Sequence, residues 1–155
     1  MSQKQLPELT LGEGDLFGAA LMAPAFASDL STWTVTIHKH GLLTQTVSLS
    51  QPPSFDGNIA VLRQHVTKEK LEALKQIVQD ESLTDFGPFP DMCITDQEQT
   101  RLMFHLFGKT TVIDAYGPHA VAMMGETQAD KTKALRYCRL WDAIVSLTPF
   151  TPYRD

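Results

Sequence analysis

Five histidines are the residues best placed to do chemistry in this chain, and two of them, His38 and His40, form a His-x-His pair. On a strand, that spacing sends both imidazoles to one face, where both could reach one metal ion. A third ligand would have to be His105, His119, Asp91 or Asp96, and the spacing ties none of these to the pair. Gly41 follows His40 directly, so the simpler expectation is one strand histidine and one turn histidine, both in water. The serines offer no better start. Ser48, Ser50, Ser54, Ser82 and Ser146 lack a Gly-x-Ser-x-Gly elbow, and the chain has no Gly-rich phosphate loop and no His-Glu-x-x-His. The sequence therefore points to no catalytic residue, no metal and no cofactor. The enzymatic alternative is a small hydrolase or metal-dependent enzyme built on His38, His40 and His105.

Cys93 and Cys138 allow one disulfide at most, and nothing beside either suggests an activated thiol. Asp96, followed by polar residues just ahead of a strand pattern, is expected to accept backbone amides and fix the loop rather than to catalyse. A net charge of −5 argues against nucleic acid and anionic membranes as partners. No apolar run approaches the roughly 18 residues of a membrane span. The stretch from Phe17 to Ala27 superficially looks like a signal peptide, but Glu8, Glu13 and Asp15 precede or open it against only Lys4, where an export signal needs positive charge. A cytoplasmic location is the expectation.

These residues need elements to hold them. With 155 residues and 43% hydrophobic content, the chain has material for a core without staples. Residues 1–30 read as an irregular segment or short helix, with two helical turns over Asp15–Met22 ended by Pro24, and residues 31–155 as a single α+β domain. Thr32 to Ser50 alternates as a hairpin around His40-Gly41, and Gln51 to Gly57 is a loop. Thr67 caps a helix with a stripe of Leu71, Leu74, Ile77 and Val78, ending near Ser82, and Thr84 to Thr95 crosses as an exposed loop. A second hairpin runs from Thr100 to Tyr116 with Gly108-Lys109 as its turn. Residues 119–126 carry no assignable pattern. Thr127 opens a last helix with Ala134, Leu135, Cys138, Trp141, Ile144 and Val145 inward and Lys131, Lys133, Arg136 and Arg139 on a solvated face.

The resulting expectation is a ββαββα fold of the α+β class: one antiparallel sheet of about four strands with two helices packed on one face. Trp33, Val35, Ile37, Val47, Leu49, Leu102, Phe104 and Leu106 would meet the helices. The other face would then show Thr34, Thr36, His38, Thr46, Ser48, Arg101, Met103, His105 and Phe107. An aromatic ring and a thioether beside Arg and His mark Arg101, Met103, His105, Phe107 and His38 as a binding surface for a protein partner or a second copy, unless the N-terminal segment folds over it through Phe17, Leu21 and Met22.

Val66 to Gly117, a capped Leu-striped helix, a Gly/Pro loop, Ile94-Thr95-Asp96 and an alternating hairpin ending in Tyr116, resembles uncharacterised small bacterial proteins that are often secreted or lipoprotein-like. The resemblance covers about a third of the chain. It departs where Gln97-Glu98-Gln99-Thr100 replaces the usual Pro-Thr-Thr, and the lipobox cysteine is absent. It implies an exported alternative to the cytoplasm and supplies no active site.

Overall fold

A computed structural model of the chain describes residues 6–24, 32–48 and 59–150. The elements are β1 (Asp15–Met22), β2 (Thr32–His38), β3 (Leu42–Ser48), β4 (Ile59–His65), α1 (Lys68–Asp80), a 3₁₀ turn (Leu83–Asp85), β5 (Gln99–Leu106), β6 (Lys109–Tyr116), α2 (Pro118–Met124) and α3 (Gln128–Val145). The strands form one six-stranded sheet in the order β4-β3-β2-β1-β5-β6, every neighbour antiparallel. The α+β class and the one-sided helical layer agree with expectation. The counts and the order differ: β1 and β4 are additional strands, and α2, over residues that carry no sequence pattern, is a third helix where two are expected.

β1 is the larger correction. Asp15–Met22 does not make helical turns; it is a strand paired on both sides, with β2 and with β5. Ala19, Ala20, Leu21 and Met22 are good helix formers, but two rows of ladder hydrogen bonds and burial of Phe17, Ala19 and Leu21 outweigh a preference worth tenths of a kcal/mol per residue. β1 thus joins the two expected hairpins, β2-β3 and β5-β6, into one sheet. β4 is an edge strand whose Ile59-Ala-Val-Leu run lacks the alternation that marks a half-buried strand. The expected loop from Gln51 to Gly57 and the inward Leu49 lie outside the described residues.

Both helix caps form as expected: the hydroxyls of Thr67 and Thr127 accept the amides of Lys70 and Asp130. Leu71, Leu74 and Val78 of α1 and Tyr137, Leu140, Trp141 and Ile144 of α3 join Phe17, Trp33, Val35, Ile37, Leu102 and Phe104 in one core. Trp33 stacks on Trp141 at 5.4 Å between ring centroids. Leu135, expected inside, is 56% exposed. Gln45, wholly buried on the inner face, reaches the segment after α3: its Nε2 donates to the Phe150 carbonyl at 2.8 Å and its Oε1 accepts the Phe150 amide at 3.0 Å. Two of the bases expected in water do structural work: Arg136 donates to the Glu81 carbonyl, closing the C-terminus of α1, and Arg139 pairs with the Glu81 carboxylate.

The β5-β6 turn is Phe107-Gly108, one residue earlier than expected, with φ of 57° and 73° and Leu106 facing Lys109. Two consecutive positive φ angles are the geometry whose twist matches a tight hairpin. The shift lifts Phe107 out of the strand. Its ring is 65% exposed at the hairpin tip, beside a recess bordered by Val78, Gln79, Ser82 and Asp85. It therefore does not lie on the sheet face where the strand pattern puts it.

Candidate binding face

The helices leave the other side of the sheet to be built from alternate residues of the same strands. The ladder lines up Val61-Thr46-Thr34-Ala20-Arg101-Asp114 in one row and Arg63-Thr44-Thr36-Gly18-Met103-Val112 in the next. His105 follows beside Thr110, and Leu42 beside His65. The centre of this outer face is floored by Gly18 and Ala20, the smallest side chains available. Its two margins carry exposed apolar groups: Leu42, Ile59 and Val61 on one side and Val112 on the other.

The small floor is occupied. Residues 6–12 lie across it, and a Cβ added at Gly18 would meet Leu11 Cδ2 at 2.9 Å and Leu9 Cδ2 at 3.2 Å. Leu9 is 6% exposed and Leu11 is half-buried, whereas Thr10 between them is exposed, so the segment presents its two leucines to the sheet in extended alternation. Burying one leucine contributes about 1.5–3 kcal/mol. The segment adds no strand: among the described residues, positions 6–11 make no backbone hydrogen bond to β1 or β5. It is anchored by a turn in which Gly12 donates its amide to the Asp15 carboxylate and Asp15 returns its own to the Gly12 carbonyl. Leu6 borders a recess of about 350 Å³ with Phe89, Arg101, Asp114 and Tyr116. The N-terminal segment therefore does fold over this face, but through Leu9 and Leu11; Phe17 and Leu21 belong to the core.

The sequence-derived binding residues divide accordingly. Arg101, Met103 and His105 stand in line on the outer face of β5, and His38 lies on the same face at the end of β2, opposite Asp15. Phe107 is at the hairpin tip. Arg101 is not a free cation: its Nε and Nη2 donate to the two oxygens of Asp114 at 2.6 and 3.1 Å. That hydrogen-bonded carboxylate raises the guanidinium pKa against the opposing effect of partial burial. His105 Nδ1 lies 2.7 Å from the Thr110 hydroxyl, and His38 Nδ1 accepts the His40 amide at 3.1 Å. Among the described residues no group of three or more His, Cys, Asp or Glu side chains is arranged to hold a metal ion. Asp96 takes up a left-handed φ of 61° in place of the expected amide-accepting turn. The loop before β5 is instead fixed by Tyr116, whose hydroxyl accepts the Gln97 amide at 3.1 Å, and by the Gly117 amide bonded to the Glu98 carbonyl.

Val112, Val61, Ile59 and Leu42 also belong to this face. Val112 is on this face by the alternation of β6, and the observed turn sets it opposite Met103. The β4 residues carry no periodic signal.

His119 supplies the other cluster of reactive groups. Its Nε2 is 2.7 Å from Asp142 Oδ1 and its Nδ1 is 3.7 Å from Glu98 Oε1, with Cys138 of α3 also against the ring. Cys138 contributes most to holding the proton, then Glu98; burial opposes them and Asp142 adds to them, and together they raise the imidazole from 6.5 to about 11. A histidine kept charged at neutral pH cannot act there as a general base. The quartet instead ties α2 to α3 and to the residue that precedes β5.

No protein-family model matches the chain, and a search of curated proteins finds no significant match. No helix among the described residues is long and apolar enough to cross a membrane.

Proposed function

We propose that the chain is a non-enzymatic protein-binding module that engages a protein partner, or a second copy of itself, through the outer face of its sheet. The observation that carries this reading is the exposure of apolar side chains on that face, with Val112 at 50% and Val61 at 48%, where the opposite face is closed by helices. Met103 adds a flexible thioether that adapts to different partner shapes. Thr34, Thr36, Thr44 and Thr46 contribute hydroxyls for hydrogen bonding, which gives the mixed composition of an interface rather than of a core. The net charge of −5 favours a basic partner over nucleic acid.

The test is affinity capture from source-cell lysate with wild type and a Met103→Asp/Val112→Asp variant of equal melting temperature. A Lys133→Glu variant on the helical side serves as control. A partner captured by wild type and by the control but lost with the double variant supports the face. A partner retained equally by all three contradicts it.

A further inference from the structure

The outer face already holds a ligand of a kind, and that ligand defines what else would fit. Leu9 and Leu11 enter a depression that exists because β1 carries Gly18 and Ala20 at its centre; any larger residue at 18 would fill the space the leucines use. The segment is extended, keeps Thr10 in water and forms no ladder with the sheet, so side chains alone recognise it. It leaves through Gly12-Glu13-Gly14, and Gly14 has a left-handed φ of 84°, which lets the chain turn sharply from strap to strand.

We propose that Leu6–Gly12 is a displaceable strap and that the depression over Gly18 and Ala20 is the docking site for an extended Leu-x-Leu segment of another protein, which replaces Leu9-Thr10-Leu11. This deepens the proposed function and rests on it: the same face is the interface, and the inference names what enters its centre. A foreign segment is favoured over the strap of a second copy because each copy carries a net charge of −5, and the strap region brings Glu8 and Glu13 with it.

A tethered competitor sets a quantitative expectation. A short linker holds its ligand at an effective concentration on the order of millimolar, so a free peptide of the same sequence has an apparent Kd no lower than about millimolar on the wild type. With the strap leucines removed, that ceiling disappears. The probe is a fluorescent peptide, Leu-Pro-Glu-Leu-Thr-Leu-Gly-Glu, titrated by anisotropy into the full-length chain. The Leu9→Ser/Leu11→Ser variant should bind it at least about tenfold more tightly than wild type. Adding Gly18→Val to that variant should abolish binding; the φ of residue 18 is not among the positive ones, so valine fits the strand there.

A folded Leu9→Ser/Leu11→Ser variant that ignores the peptide would make the strap a fixed cover and overturn the proposal. Should that variant not fold, millimolar peptide added to the wild type decides: shifted amide resonances at Gly18 and Ala20 support the site, and unshifted ones overturn it. Concentration-dependent dimers of wild type that vanish with the leucines would overturn the foreign segment in favour of arm exchange. Failure of the peptide alongside face-dependent capture by Met103 and Val112 would refute the strap inference alone, whereas loss of face-dependent capture would refute the binding reading itself.

Discussion

The two faces of the sheet are made from the same strands, one residue out of phase, and they are closed by different means. The inner face is sealed by α1 and α3 around Phe17, Phe104 and the stacked Trp33 and Trp141, and the buried amide of Gln45 has both ends bonded. Among the described residues the outer face is covered only at its centre, by two leucine side chains on a strap that makes no ladder, and Leu42, Ile59, Val61 and Val112 at its margins are exposed. The inner face is thus sealed by two helices and a continuous core, while the centre of the outer one is covered by one buried leucine, Leu9, and one half-buried leucine, Leu11.

The sharpest way to break this contrast is to compare neighbours on β5. Phe104→Ala removes a wholly buried ring and should cost about 3–5 kcal/mol in denaturant unfolding. Met103→Ala, next along the strand but on the outer face, should cost under about 1 kcal/mol. Similar losses from both would mean that the faces do not differ. Gln45→Ala tests whether the polar tie inside is needed: it leaves the Phe150 amide without its partner, while the carbonyl keeps the Thr148 hydroxyl, and should cost about 1–3 kcal/mol. A neutral result would mean that the end of the chain is held by something else.

His119 sharpens the comparison through pH. Its folded pKa is raised, so its stabilisation is fully present below the unfolded value of 6.5 and is lost as the pH rises through about 11. His119→Gln should therefore lower the melting temperature most at pH 6 and below, with the gap to wild type closing towards pH 11. A gap that widens with pH would mean that the imidazole is held neutral. The smallest effect belongs to Val112→Asp, which should change stability by no more than about 0.5 kcal/mol because the side chain is half in water.

How much of this was legible in the sequence follows the same division. The inward residues of β2, β3 and β5 announced themselves by alternation, and both long helices by a Thr cap and an apolar stripe. β1 was hidden because Gly-Ala-Ala-Leu-Met has no β-branched residue and favours helix locally; pairing on both sides decides its conformation, and that pairing is not written in the segment. β4 was hidden because an edge strand need not alternate. On the outer face, Arg101, Met103 and His105 follow from the period of β5, whereas Phe107 is a turn residue that the expected turn, one residue later, leaves in the strand. Leu9 and Leu11 gave only a Leu-Thr-Leu alternation with no sign of what it covers, and the partners of His119 come from separate elements with no sequence pattern to link them.

The most direct measurement uses two side chains matched in everything but location. Val112 on the outer face is 50% exposed and Leu135 on the helical layer is 56% exposed, both aliphatic. A photo-crosslinking amino acid placed at each position in turn, in source cells, samples the two surfaces equally. A discrete protein adduct at position 112 with none at position 135 is the expected result. Adducts at 135 with none at 112 would move the interface to the helices and contradict the account.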